Sequence, residues 1–151
     1  MRQNPYQRML WMLLFSFVIM YGVMFLNVDS LDHVYFSITR VYMTLLMVSP
    51  MALMMLVMMK HMYSDKRKNA LIIALSAVVW VVSLVGLRTQ ALITDQQYMK
   101  AMIPHHSSAI MTSRNAGIGD PEVRRLADGI IKSQRREIRQ MKEILKRMES
   151  R

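Results

Sequence analysis

Three long apolar windows, separated by short polar connections, occupy the first part of the chain, after which the hydrophobic pattern changes to helical spacing. No charged residue falls between Met9 and Leu26, Val41 and Met59, or Ala70 and Leu87, windows of 18, 19 and 18 residues. As helices these extend about 27 to 29 Å, close to the hydrocarbon thickness of a bilayer, so three membrane-spanning helices are expected. If they were instead buried helices of a soluble protein, the 63 residues after Arg88 could not cover them. Arg2 and Arg8 precede the first window as in a signal peptide. The run is long, however, and Leu26-Asn27-Val28-Asp29 offers no small-x-small cleavage site, so a retained anchor is expected.

Between Ala70 and Ala116 there is no proline before Pro104 and one glycine, Gly86. The third span is therefore expected to run on outward as one helix, about 29 residues or roughly 43 Å beyond the bilayer. Asn115-Ala116-Gly117-Ile118-Gly119 reads as a stop, with Gly117 suited to a left-handed position after the helix. Asp120-Pro121-Glu122 reads as a start, with Asp as cap, Pro at the first helical position and Glu at the positive end of the dipole. The last helix, Pro121 to about Glu149, returns antiparallel.

Its seam is Leu126, Ile130, Gln134, Glu137, Ile138, Met141, Leu145 and Met148, spaced three or four apart. The matching stripe on the outgoing helix is Asp95, Met99, Met102, His106 and Ala109 or Ile110. Folding about residue 118 sets His106 opposite Ile130 to Gln134, Met102 opposite Gln134 to Ile138, and Met99 opposite Ile138 to Met141. The expected fold is all-α: a three-helix membrane domain over 1–88 and an extramembrane helical hairpin over 89–151. One hairpin buries little, so homo-oligomerisation completing a four-helix bundle is expected.

Charge orients this arrangement. Lys and Arg number 20 against 10 Asp and Glu. Arg2 and Arg8 precede the first span, and Lys60, Lys66, Arg67 and Lys68 lie in the second connection, whereas the first connection has Asp29, Asp32 and only Arg40. The positive-inside rule then puts the N-terminus inside and everything after Leu87 outside, in a bacterium the inner membrane with a periplasmic hairpin. Arg124, Arg125, Lys132, Arg135, Arg136, Arg139, Lys142, Lys146 and Arg147 make the last helix basic. That would suit nucleic acid in the cytoplasm, but outside it implies a solvated or lipid-facing surface. Lys146, Arg147 and Arg151 would then come near anionic headgroups.

The chain has no cysteine, which removes thiolate metal sites, disulfides and cysteine nucleophiles. What it has instead is Met99-Lys100-Ala101-Met102-Ile103-Pro104-His105-His106-Ser107-Ser108-Ala109-Ile110-Met111, half of the four histidines beside three of the 18 methionines. Thioether sulfur favours Cu(I) or Ag(I), imidazole suits copper and zinc, and carboxylate or amide completes a shell. Met99, Met102 and His106 share one helical face, and Gln134, Glu137 and Met141 face them across the seam. His105 sits one position off that face, where it either joins as a ligand, reaches a neighbouring subunit or is solvated. Pro104 frees the carbonyl of Lys100 and tends to kink the helix. Enzymatic function is not expected: a di-iron bundle needs Glu-x-x-His pairs, and Glu137 is followed by Ile138, Arg139 and Gln140.

The pattern Asp95-x3-Met99-x2-Met102-Ile103-Pro104-His105-His106-x2-Ala109-Ile110-Met111, with Asp120-Pro121-Glu122-Val123 and Ile131-x2-Gln134-x2-Glu137-Ile138-x2-Met141, resembles a bacterial family catalogued as a domain of unknown function. Its members are ferritin-like helical bundles, several associated with periplasmic copper binding. The resemblance covers about Asp95 to Leu145. It implies metal-binding roles for Met102, His105, His106, Met111, Gln134, Glu137 and Met141; Met111 rests on the resemblance alone, since on an ideal helix it projects away from His106. Ser107-Ser108 departs from the family, which has a larger polar residue and glycine there.

The second span and its exit hold eight methionines, of which Met43, Met47, Met51, Met54 or Met55, Met58 and Met62 follow one face. They form a candidate relay for Cu(I) across the membrane, the plainer reading being that methionine is an ordinary apolar residue. His33, beside Asp29 and Asp32, is expected to be a solvated loop histidine. Together these features describe a membrane-anchored copper-binding protein that sequesters Cu(I) or Ag(I) or hands it to an exporter or chaperone, the alternative being a metal-free structural or assembly protein.

Overall fold

The computed structural model describes residues 4–150, so Arg2 and Arg151 lie outside the described residues. Five α-helices account for most of this length, and among the described residues there is no strand: α1 Pro5–Val23, α2 Ile38–Met58, α3 Lys66–Thr89, α4 Asp95–Asn115 and α5 Pro121–Glu149. A short 3₁₀ turn, Leu31–His33, lies between α1 and α2. The chain forms two compact units, one of residues 1–23 and 39–92, the other of 24–38 and 93–151. The division differs from one at residue 88 chiefly in assigning the first connection to the same unit as the hairpin.

In the first unit α1, α2 and α3 are long and apolar enough to cross a membrane. Their large apolar side chains point outward: Trp11, Phe15, Val18 and Ile19 on α1 and Leu71, Val78 and Val82 on α3 are exposed, as suits an apolar solvent. Asn4 accepts a hydrogen bond from the Tyr6 N–H at the start of α1, and Asp65 caps α3 by accepting from the Arg67 and Lys68 N–H groups. Met9, Leu56 and Tyr63 are buried together, and the Tyr6 hydroxyl reaches Asn69 Oδ1 at 2.9 Å.

Gly86 lets α3 approach α2. A Cβ there would stand 2.8 Å from the Tyr42 ring, whose hydroxyl donates to the Ala91 carbonyl at 2.9 Å. Gly86→Ala either overlaps the ring or displaces it and breaks that bond, an overpacking cost of about 1–3 kcal/mol. A lowered thermal midpoint in detergent is expected, and an unchanged one would show that the ring yields freely.

The methionine ladder of α2 is continuous in sequence but does not share one environment. Met43, Met47, Met54 and Met58 are exposed, while the buried side of α2 carries Thr44, Val48, Ser49, Ala52 and Leu56. Met62 lies beyond the end of α2 and packs near Tyr63. Met51 is half-buried, and Met55 and Met59 pack with Met62 against the cluster of Met9, Leu56 and Tyr63. Pro50 is accommodated within a continuous α2, where Ser49 Oγ donates to the Leu45 carbonyl.

The expected continuous helix through residues 70–116 is broken. α3 ends at Thr89; Gln90 and Leu92 adopt left-handed φ of 53° and 61°, and the Ala91 N–H bonds back to the Gly86 carbonyl. α4 then restarts at a local signal, the Thr94 side chain accepting from the Gln97 N–H. The turn into α5 also differs. Helix α4 stops at Asn115, followed by an extended Ala116, and no glycine has positive φ, so Gly117 does not supply a left-handed cap. The start of α5 is as expected: Asp120 accepts from the Glu122 and Val123 N–H groups, with Pro121 at the first position.

Candidate metal-binding pocket

Helices α4 and α5 pack around Met99, Ile103, Ile110, Ile138 and Leu145, with Ile131, Met141, Ile144 and Met148 against them. Ile103 and Ile110 are essentially inaccessible. Leu126, expected on the seam, is 65% exposed, and the adjacent Ala127 is buried in its place. His106 meets Glu137, about one helical turn beyond the Ile130–Gln134 level that folding about residue 118 implied.

Beside this core is an open cavity of about 600 Å³, bordered by Asp95, Tyr98, Met99, Met102, His106, Glu137, Gln140, Met141, Ile144, Arg147 and Met148. It brings together five of the expected donors: Met99, Met102, His106, Glu137 and Met141. It excludes three. His105 is exposed, Met111 is partly buried elsewhere, and neither borders the cavity. Gln134 is also outside it, with a buried Oε1 that has no hydrogen-bond partner.

The imidazole of His106 is held at both nitrogens. Its Nδ1 lies 2.9 Å from the Met102 carbonyl, and because a carbonyl can only accept, Nδ1 carries the hydrogen and donates. Nε2 lies 2.8 Å from Glu137 Oε2, so one further hydrogen lies between these two atoms. The other carboxylate oxygen, Oε1, accepts from the Ser133 hydroxyl at 2.6 Å. The Ser133 bond, followed by that to His106, holds the Glu137 carboxyl below its ordinary pKa. An Nδ1–H fixed on a backbone carbonyl is the usual means of orienting an imidazole whose Nε2 binds a metal. Among the described residues no three His, Asp or Glu side chains cluster, so a metal bound here would depend on thioether donors as well.

Two participants escaped the sequence reading. Met148 follows Met141 by two turns and was visible only as a seam residue. Ser133 precedes Glu137 by one turn, and that spacing was the available signal.

The first connection also packs on α4. Asn27 Nδ2 donates to Ser108 Oγ at 2.7 Å, the Asp29 N–H donates to Ser107 Oγ at 2.7 Å, and His33 Nδ1 lies 2.8 Å from the same Ser107 oxygen. Asp29 pairs with Arg114 and Asp32 with Lys142, whose hydrogen bond pulls the Asp32 carboxyl down to about 2. The Ile38 N–H donates to Gln97 Oε1. His33 is thus a docked rather than a solvated residue, its pKa lowered first by burial and then by Lys142.

Residues 81–150 match the family described as Domain of unknown function (DUF305). No solved structure matches the chain. An uncharacterized protein of Acanthamoeba polyphaga mimivirus is 40% identical over 139 residues, covering 90% of each chain. At that identity and coverage, the chain belongs to the same family as this viral protein.

Proposed function

We propose that the chain is a membrane-anchored protein that binds Cu(I) in the α4–α5 cavity and holds it for storage or transfer, Ag(I) being a chemical substitute. The observation that carries this reading is the donor set converging on one cavity of a single chain: Met99, Met102, Met141 and Met148 with the Nε2 face of His106 and the Glu137 carboxylate. Several thioethers with one imidazole suit a soft monovalent ion far better than a hard divalent one. Metal at Nε2 would replace the hydrogen now lying between His106 and Glu137, leaving the carboxylate free to turn toward the ion.

Membrane anchoring is supported by the outward apolar faces of α1, α2 and α3. Residues 24–38 and 93–151 share one unit, and two apolar helices intervene between them, so both segments lie on the same side if α2 and α3 each cross. The loop charges favour the outer side, the periplasm in a bacterium. A second hairpin completing a four-helix arrangement is part of this reading.

The test is a titration of Cu(I) into the purified full chain against a chromogenic Cu(I) chelator, with Zn(II) titrated in parallel. Tight Cu(I) binding with weak Zn(II) binding is expected. Failure to compete for Cu(I), or a preference for Zn(II), would remove the reading.

A further inference from the structure

We propose that the exposed face of α5 opposite the core is a docking surface for anionic lipid headgroups. This goes beyond the copper reading and rests only on the anchoring of α1, α2 and α3 in a bilayer. Arg125, Lys132, Arg135, Arg136, Arg139 and Lys146 are all exposed and form no ion pair among the described residues. At helical spacing they occupy one broad arc over about 32 Å of α5, whereas Ala127, Ile138 and Leu145 lie on its buried side.

The residues interleaved with these cations decide what the surface fits. They are Asp128, already paired with Arg124, together with Gly129, Gln140 and Glu143. No apolar or aromatic side chain lies on the arc. A protein interface has a desolvated core rich in aromatic and apolar groups, and single-stranded nucleic acid calls for stacking platforms. An array of headgroup phosphates needs charge alone, each nearby Lys or Arg strengthening association by roughly fivefold. Duplex phosphates would meet the same cations. Only the lipid surface, however, is supplied by the chain itself: it passes from an apolar helix into this unit near residue 24, returns to one near 38 and enters again near 93. The absence of apolar anchors makes this adsorption on headgroups rather than insertion among acyl chains.

The cysteine-free chain permits a direct test. A Cβ at Gly129 meets no atom within 4 Å, so Gly129→Cys carries a fluorophore without disturbing the packing. The full chain is reconstituted into phosphatidylcholine vesicles, with or without about one third phosphatidylglycerol. Retention in the vesicles through an alkaline carbonate wash reports anchoring separately from surface contact. In anionic vesicles the label is expected to lose accessibility to an aqueous quencher severalfold, to recover it in about 1 M salt, and to remain accessible when Arg136→Glu and Arg139→Glu are combined. Equal accessibility in the two lipids overturns the proposal. Protection that is also present in phosphatidylcholine, or that survives the charge reversal, overturns it in favour of a protein contact. Protection by an added DNA duplex but not by anionic lipid overturns it in favour of nucleic acid.

Discussion

Replacing His106 by alanine is expected to weaken Cu(I) binding by the full chain roughly a hundredfold, while replacing His105 leaves it within about threefold. The two residues are adjacent, equally capable chemically, and differ only in where α4 points them. His106 borders the cavity with Nδ1 fixed on the Met102 carbonyl and Nε2 directed at Glu137, so its donor atom is oriented before an ion arrives. His105 is exposed outside the cavity, so it would reach an ion held there only through reorganisation of α4. Truncation of His106 also strips Glu137 of its partner, though Ser133 continues to hold Oε1. Chelator competition with the two single variants reads the contrast. Equal losses would mean that both imidazoles bind, as in a site shared between chains, and a loss confined to His105 would place the metal outside this cavity.

That contrast shows what the sequence could and could not convey. Periodicity put both histidines on a helix and placed His105 one position off the donor face, and the apolar windows located α1, α2 and α3 to within a few residues. Local chemistry was equally readable at Asp120-Pro121, where cap and first-turn residues sit side by side. The break at Gln90–Thr94 was missed because it contains neither proline nor glycine. Two non-glycine residues adopt positive φ there, and the restart rests on a single threonine cap. The pairing of His106 with Glu137 was displaced by a turn because axial register depends on how the Ile103, Ile110 and Ile138 side chains interlock, which spacing alone does not encode. Packing of the first connection on α4 was invisible for a related reason: it is carried by short polar side chains whose partners lie about 80 residues away.

Those polar contacts give the second large effect. Ser107→Val is expected to destabilise the packing of residues 24–38 on α4 by about 2 kcal/mol, raising hydrogen exchange at the Asp29 amide roughly thirtyfold. The Ser107 side chain is fully buried, and its one oxygen serves two partners. It accepts from the Asp29 N–H and lies within hydrogen-bond distance of His33 Nδ1, to which its own hydrogen can be given when that nitrogen is unprotonated. Valine fills the space but leaves both groups without a partner away from water, the costly way to lose a hydrogen bond. Ser108→Ala, by contrast, removes an exposed bond to Asn27 and should change exchange little. Acid should act in the same direction as valine. Burial keeps the folded His33 pKa below its unfolded value of 6.5, so the stability it contributes is full above that value and is lost as pH falls through the folded pKa. If the Asp29 amide exchanged equally fast in the native and Ser107→Val chains, the connection would be held by its ion pairs, Asp29 with Arg114 and Asp32 with Lys142, rather than by the buried hydroxyl.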